Sequence, residues 1–247
     1  MKDVIGVIHL PINAYDYKLS ILEEWLLKNV AAHVNGGIKK ILLQDQVIER
    51  KASIETIGRI TALSYIAKRK FPDIDFGLIL DSNDCEAAIK IALISNLQFV
   101  RIKVFVGAMV KNLGIIEGCV FDNYQLINST KGKLEIYADV YDKTGTPLGN
   151  ISYSDACKYA IKMGADKLVL TGNTLKETKE IIEEVVNKIA SPIYIGGGVT
   201  ESNLKDIEHS AYGCIVSSAL LEDGSSDTWS VEKISSFMNE FNKHSKD

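Results

Sequence analysis

Short apolar runs rich in Val, Ile and Leu alternate along the chain with longer amphipathic stretches. The runs are Val4–Leu10, Ile38–Leu43, Phe76–Leu80, Phe99–Val104, Leu134–Val140, Lys167–Leu170, Pro192–Ile195 and Gly213–Val216. Each is four to seven residues long, as expected of strands buried on both faces. Helical periodicity predicts helices over Lys18–Val34, Ser53–Lys70, Asp84–Ser95, Ser154–Met163, Leu175–Ile189, Glu201–Glu208 and Val231–Asn242. An Asn83/Asp84 capping signal opens the third of them. Strands that alternate with helices form parallel sheets. Eight such units in 247 residues predict an α/β chain folded as a single (β/α)8 TIM barrel over residues 1–247. An open doubly wound sheet would usually carry Gly-x-Gly-x-x-Gly after its first strand. Here that turn, His9-Leu10-Pro11-Ile12-Asn13, has no glycine. The one irregular connection is Phe105–Gly118, an extended loop after the fourth strand with glycines at 107, 114 and 118. Long loops on that face of a barrel are usually lids or ligand-contacting elements.

Composition narrows the class. Hydrophobic residues are 46% and charged residues 24%, which excludes a mainly disordered or fibrous chain. A net charge of −4 without a basic block makes nucleic acid an unexpected partner. No apolar run approaches the roughly 18 residues of a membrane-spanning helix. The first ten residues read as a strand, not as a signal peptide. Cys85, Cys119, Cys157 and Cys214 are scattered, with no Cys-x-x-Cys, a pattern of reduced thiols and a cytoplasmic location. No cofactor is expected, and self-association into a homo-oligomer is left open.

Barrel chemistry gathers at the carboxyl ends of the strands. Those ends carry His9; Gln44 and Asp45; Asp81 and Asn83; Arg101 and Lys103; Asp139, Asp142 and Lys143; Thr171 and Asn173; Gly196-Gly197-Gly198; and Ser217-Ser218. Arg101 and Lys103 are two apart and share a side of their strand, as do Glu135, Tyr137 and Asp139. Such charges at one mouth require mutual pairing or a charged ligand. Gly197 and Gly198, with Ser217 and Ser218 about twenty residues on, match the phosphate site formed after the last two strands of many barrels. His9 is a candidate for catalysis or ligand contact. A metal site from His9, Asp45, Asp81 and Asp139 lacks any compact spacing motif, so none is expected. Gly-x-Ser-x-Gly is absent, which argues against a serine hydrolase.

Several segments together resemble the BtpA/SgcQ family of ribulose-phosphate-binding barrels. They include Ile5-Gly6-Val7-Ile8-His9-Leu10-Pro11, Gly36-Gly37-Ile38, Asn83-Asp84, Phe99-Val100-Arg101, Gly114-Ile115-Ile116-Glu117-Gly118, Ala138-Asp139-Val140, Gly197-Gly198-Val199-Thr200 and Ile215-Val216-Ser217-Ser218-Ala219-Leu220. The resemblance implies a cytoplasmic-side barrel and brings a connection to photosystem I biogenesis through the cyanobacterial namesake. It also marks departures. Gln44-Asp45 stands where the family usually has Glu-Asn, Lys103 where it has Asn, and Thr144 where it has His. The loop after the first strand is shortened to Pro11-Ile12-Asn13-Ala14. Altered rim positions point to a diverged ligand or reaction, or to a member losing catalysis.

The combined expectation is a phosphorylated small-molecule ligand and lyase- or isomerase-type chemistry on a sugar-phosphate- or nucleotide-like substrate. Asp139, Lys143, Lys103 and His9 form the catalytic set. Arg101, Asn83, Asp45, Asp81 and Thr171 bind substrate, and the glycine loop with the paired serines anchors phosphate. A lysine near other cations and partly desolvated could form a Schiff base or act as a base. The other class of reading is a non-catalytic assembly or stability factor for a protein complex. That role needs an exposed apolar patch, and none is obvious from the sequence.

Overall fold

The structure, a computed structural model, describes residues 1–12, 14–207 and 209–244. Eight strands close into a parallel barrel, with the last strand beside the first. In chain order, β1 is Asp3–His9, β2 Lys40–Gln44, β3 Asp75–Ile79 and β4 Phe99–Ile102. Next come β7 at Glu135–Asp139, β9 at Lys167–Leu170, β10 at Ile193–Ile195 and β11 at Gly213–Val216. Strand pairing runs in register around the ring, for example His9 opposite Gln44 and Arg101 opposite Tyr137. Helices α1 (Leu19–Asn35), α2 (Ile54–Lys70), α3 (Cys85–Ile94), α4 (Val120–Ser129), α5 (Tyr153–Lys162), α6 (Leu175–Val185) and α7 (Val231–His244) surround it. None of the described helices is long and apolar enough to cross a membrane.

The helices start where side chains can satisfy free backbone N–H groups. Ser53, Asp84, Ser152 and Thr174 each accept a bond from the residue three positions on. Three expectations change in detail. The extended loop is ordered as a hairpin, β5 (Ala108–Lys111) with β6 (Gly114–Glu117), joined by β8 (Thr146–Pro147) into a small antiparallel sheet. The predicted helix 201–208 is a 3-10 helix over Glu201–Asp206, and Glu208 lies outside the described residues. Helix α4 was not predicted. Only Val120 and Ile127 of it are buried, while Phe121 and Tyr124 face solvent, so it carries no readable apolar stripe.

The barrel interior is stacked in layers, as the two-residue period of strands requires. The middle holds Ile5, Val7, Leu42, Ile79, Phe99, Tyr137, Val169, Tyr194 and Ile215, all buried. The rings of Phe99 and Tyr137 lie 4.7 Å apart, and those of Tyr137 and Tyr194 lie 5.2 Å apart. Below them a polar plug satisfies itself. Lys40 pairs with Asp3 at 2.7 Å and Lys167 with Glu135 at 2.9 Å. The Tyr194 hydroxyl donates to Asp3 and the Tyr137 hydroxyl to Glu135. Above the middle layer, the same parity delivers polar side chains to the carboxyl-end mouth.

Candidate functional site

Two steps beyond each buried middle-layer residue lies a position of the mouth. Val7 leads to His9, Leu42 to Gln44, Ile79 to Asp81, Phe99 to Arg101 (with Lys103 two further on), Tyr137 to Asp139, Val169 to Thr171, Tyr194 to Gly196, and Ile215 to Ser217. All eight strands therefore send a polar group or a glycine to one place.

The charges there are paired. Arg101 donates through Nε and Nη2 to the two Asp139 oxygens at 2.8 and 2.9 Å, the bidentate geometry that suits guanidinium to carboxylate. Both side chains are largely buried. Burial pushes Asp139 above the ordinary carboxylate value, against the opposing pull of Arg101. Lys103 Nζ donates to Asp81 Oδ1 at 2.7 Å, and Gln44 donates to the same oxygen at 2.9 Å. His9 Nδ1 lies 3.2 Å from the Ser217 hydroxyl, which also donates to the Val7 carbonyl. Burial lowers the pKa of His9, with Asp81 opposing, which favours the neutral ring. Trp229 flanks it, 6.5 Å between ring centres, a neighbour 220 residues away that no local sequence signal announces.

Thr171 and the glycine loop form the opposite side. Gly196 sits so close to its neighbours that a Cβ there would lie 2.0 Å from Thr171 Oγ1 and 3.1 Å from Arg101 Nη2. Thr171 Oγ1 is buried and has no hydrogen-bond partner. A Cβ on Gly197 would lie 3.8 Å from Lys143 Nζ, which places this exposed lysine beside the loop. Gly198 has φ +77°, a conformation that favours glycine. Asn203 fixes the loop, donating to the Gly198 carbonyl and accepting from the Thr200 N–H. A cavity of about 410 Å³ opens between the loops after β7 and β9, lined in part by Lys143, Thr171, Asn173 and Glu177.

The candidates do not all converge. Asp45 turns away from the mouth, into a narrow cavity lined by Leu10, Tyr15, Thr56 and Arg59. It accepts from the Asp81 N–H at 2.6 Å through Oδ1, while Oδ2 is buried without a partner. Burial raises its pKa to about 7. Asn83, at φ 58°, spends its side chain on Val104, donating to the carbonyl and accepting from the N–H at 2.9 Å each. It shapes the start of the hairpin loop. Ser218 is exposed on the rim at the start of the 3-10 helix Ser218–Leu220. Asp142 is held by Lys111 and by the Thr144 N–H and hydroxyl, which anchors the small sheet to the end of β7. Lys111 is a residue that sequence reasoning missed, since nothing local links positions 31 apart. Tyr141, at φ 65°, is a second strand-end residue in the left-handed region, uncommon for a bulky side chain. Among the described residues no three His, Cys, Asp or Glu side chains gather as metal ligands.

Comparison with known proteins places this geometry in context. The profile of the BtpA family matches residues 1–243. An uncharacterized protein of Pyrococcus horikoshii is 28% identical over 233 residues, covering 90% of this chain and 89% of its own length. The photosystem I biogenesis protein BtpA of Synechocystis is 27% identical over 234 residues, covering 90% of this chain and 81% of its own. Among solved structures, thiamine phosphate pyrophosphorylase from Pyrococcus furiosus superposes with a TM-score of 0.60 at 14% identity, over 98% of this chain and 96% of that one. That likeness is one of fold.

Proposed function

Since the chain belongs to the BtpA family, we propose that it binds a phosphorylated small molecule at the mouth of its barrel and acts on it as a lyase- or isomerase-type enzyme. The observation that carries this reading is the convergence of polar side chains and glycines from all eight strands on one mouth. A packed barrel has no need of such a layer, whereas a catalytic constellation does. The phosphate is assigned to Gly197 and Gly198, where backbone can approach closely, with Lys143 and Ser218 beside it. The fold neighbour named above, whose own name includes a phosphate ester, is in keeping with that assignment.

The roles follow from what each group has free. Asp139 has both oxygens committed to Arg101, so it fixes the guanidinium toward the ligand's second polar group. His9, held by Ser217, is the candidate proton carrier. Lys103, drawn by Asp81 and supported by Gln44, faces the same space as an electrophilic contact for a carbonyl oxygen. A covalent route through either lysine needs an amine free of ion pairing, which leaves Lys143 rather than Lys103 as its candidate. The buried, partnerless Thr171 hydroxyl is available to the ligand.

Untargeted mass spectrometry of small molecules that co-purify with the protein tests the reading. A retained sugar phosphate or nucleotide supports it, and borohydride trapping with that compound then decides the covalent route. A second reading, an assembly or stability factor for a protein complex, draws on the name of the Synechocystis relative. It also draws on exposed Leu113, Ile115 and Leu148, apolar surface that was not evident from sequence. Steady recovery of one protein partner, with no small molecule, favours that reading.

A further inference from the structure

The small sheet β6-β5-β8 has two very different edges. One is β8, two residues long and ending in Pro147, which lacks an N–H and closes that side to further pairing. The other is β6, Gly114–Glu117, whose outer side pairs with no strand among the described residues. Exposed edges are normally guarded by proline, charge, a bulge or a cover. β6 instead centres on Ile115 and Ile116, with Leu113 just before. Leu113 and Ile115 are 56% and 58% exposed.

A groove of about 740 Å³ runs along this edge. Its near wall includes the consecutive residues Ile115, Ile116 and Glu117. Consecutive strand residues point to opposite faces, so a groove touching all three follows the backbone edge and not one face. The far wall carries Ile48, Glu49, Arg50 and Lys51, with the Glu49 carboxylate turned back to accept from the Ser53 N–H. Ser82, also lining it, is 7% exposed and its hydroxyl has no partner.

We infer that β6 is a docking edge for a second copy of this chain, which pairs its own β6 antiparallel to it across a two-fold axis. The strand is self-complementary. A two-fold through Ile115 sets each Ile115 opposite Ile115 of the second copy, each Gly114 opposite Ile116, and each Leu113 opposite Glu117. Apolar residues meet and no like charges face each other. Charge also fits. Glu117 is exposed and makes no ion pair among the described residues, and neither do Arg50 and Lys51 in the groove it would enter. The pairing joins the two small sheets into one and covers Leu113 and Ile115. It uses none of the residues assigned to phosphate, so the two proposals stand or fall separately.

Sedimentation velocity and light scattering of the intact chain test it, with Ile115→Asp as the disrupting variant. The expected result is a wild-type mass twice the 27.2 kDa of one chain, halved by Ile115→Asp, with circular dichroism and thermal melting unchanged. A single variant, Ile115→Cys, reads the register directly. Opposite residues of an antiparallel pair lie about 4.5–5.5 Å apart at Cα, within disulfide reach. Mild oxidation then yields a covalent dimer well above the wild-type background. A wild-type monomer overturns the inference. So does a dimer that survives Ile115→Asp and leaves the Ile115→Cys variant uncrosslinked.

Discussion

At the scale of single residues, burial sets the chemistry of two carboxyl groups in different ways. Asp139 has a full partner in Arg101. Removing one member of a buried, hydrogen-bonded pair leaves a stranded charge, which costs about 3–5 kcal/mol. Arg101→Leu is expected to destabilise by that amount in urea unfolding, and adding Asp139→Leu to recover much of the loss. Asp45 has only one of its two oxygens satisfied, and burial raises it from 3.8 to about 7. The folded chain therefore holds an extra proton between about pH 4 and pH 7. The contribution of this group to stability is greatest below about pH 4 and declines as pH rises to about 7, then levels. Asp45→Asn keeps the acceptor for the Asp81 N–H and cannot ionise. It should flatten that decline, leaving the variant about 3–5 kcal/mol more stable than wild type at pH 8 relative to pH 4. Equal slopes in the two proteins would show that Asp45 is not the group responsible.

At the scale of elements, the hairpin and the glycine loop depend on contacts between distant segments. Lys111 and Asp142 tie β5 to the end of β7. Asp142→Ala should release the small sheet while the barrel stays folded, seen as faster proteolysis within residues 105–118 at an unchanged melting temperature. Gly196 is a tighter constraint. A Cβ 2.0 Å from Thr171 Oγ1 forces the hydroxyl or the strand to move, so Gly196→Ala should cost about 1–3 kcal/mol. It should also weaken ligand binding through displaced Thr171 and Arg101. Much of this level was legible in the chain. The run Phe99–Val104 and the spacing of Arg101 and Lys103 already put both on one side, and both face the mouth. Lys103 lies just past the end of its strand, a boundary that apolar periodicity cannot resolve. Asp45 was not readable, because one residue decides which face a strand end presents, and Gln44 takes the inward place. Asn83 read as part of a cap, whereas Asp84 caps α3 and Asn83 turns to Val104.

At the scale of the whole molecule, the alternation of apolar runs and amphipathic stretches was enough to foresee a closed parallel barrel. Each strand is buried on both faces and so is written as a continuous apolar run. Pairing at long range was not foreseeable. The bidentate Arg101–Asp139 contact, the Lys103–Asp81 pair and Trp229 beside His9 arise only when the ring closes. The same closure gathers the polar ends into one mouth, the ground for assigning a phosphorylated ligand.

The most direct test of that assignment is calorimetric titration of inorganic phosphate into the wild-type chain and into Gly198→Asp and Lys143→Met. The account predicts saturable binding to wild type, at least a tenfold loss with the aspartate, and a smaller loss with the methionine. Ile115→Asp, remote from the loop, should bind as wild type does. Absence of phosphate binding by the folded wild-type protein, or equal affinity in Gly198→Asp, would contradict it.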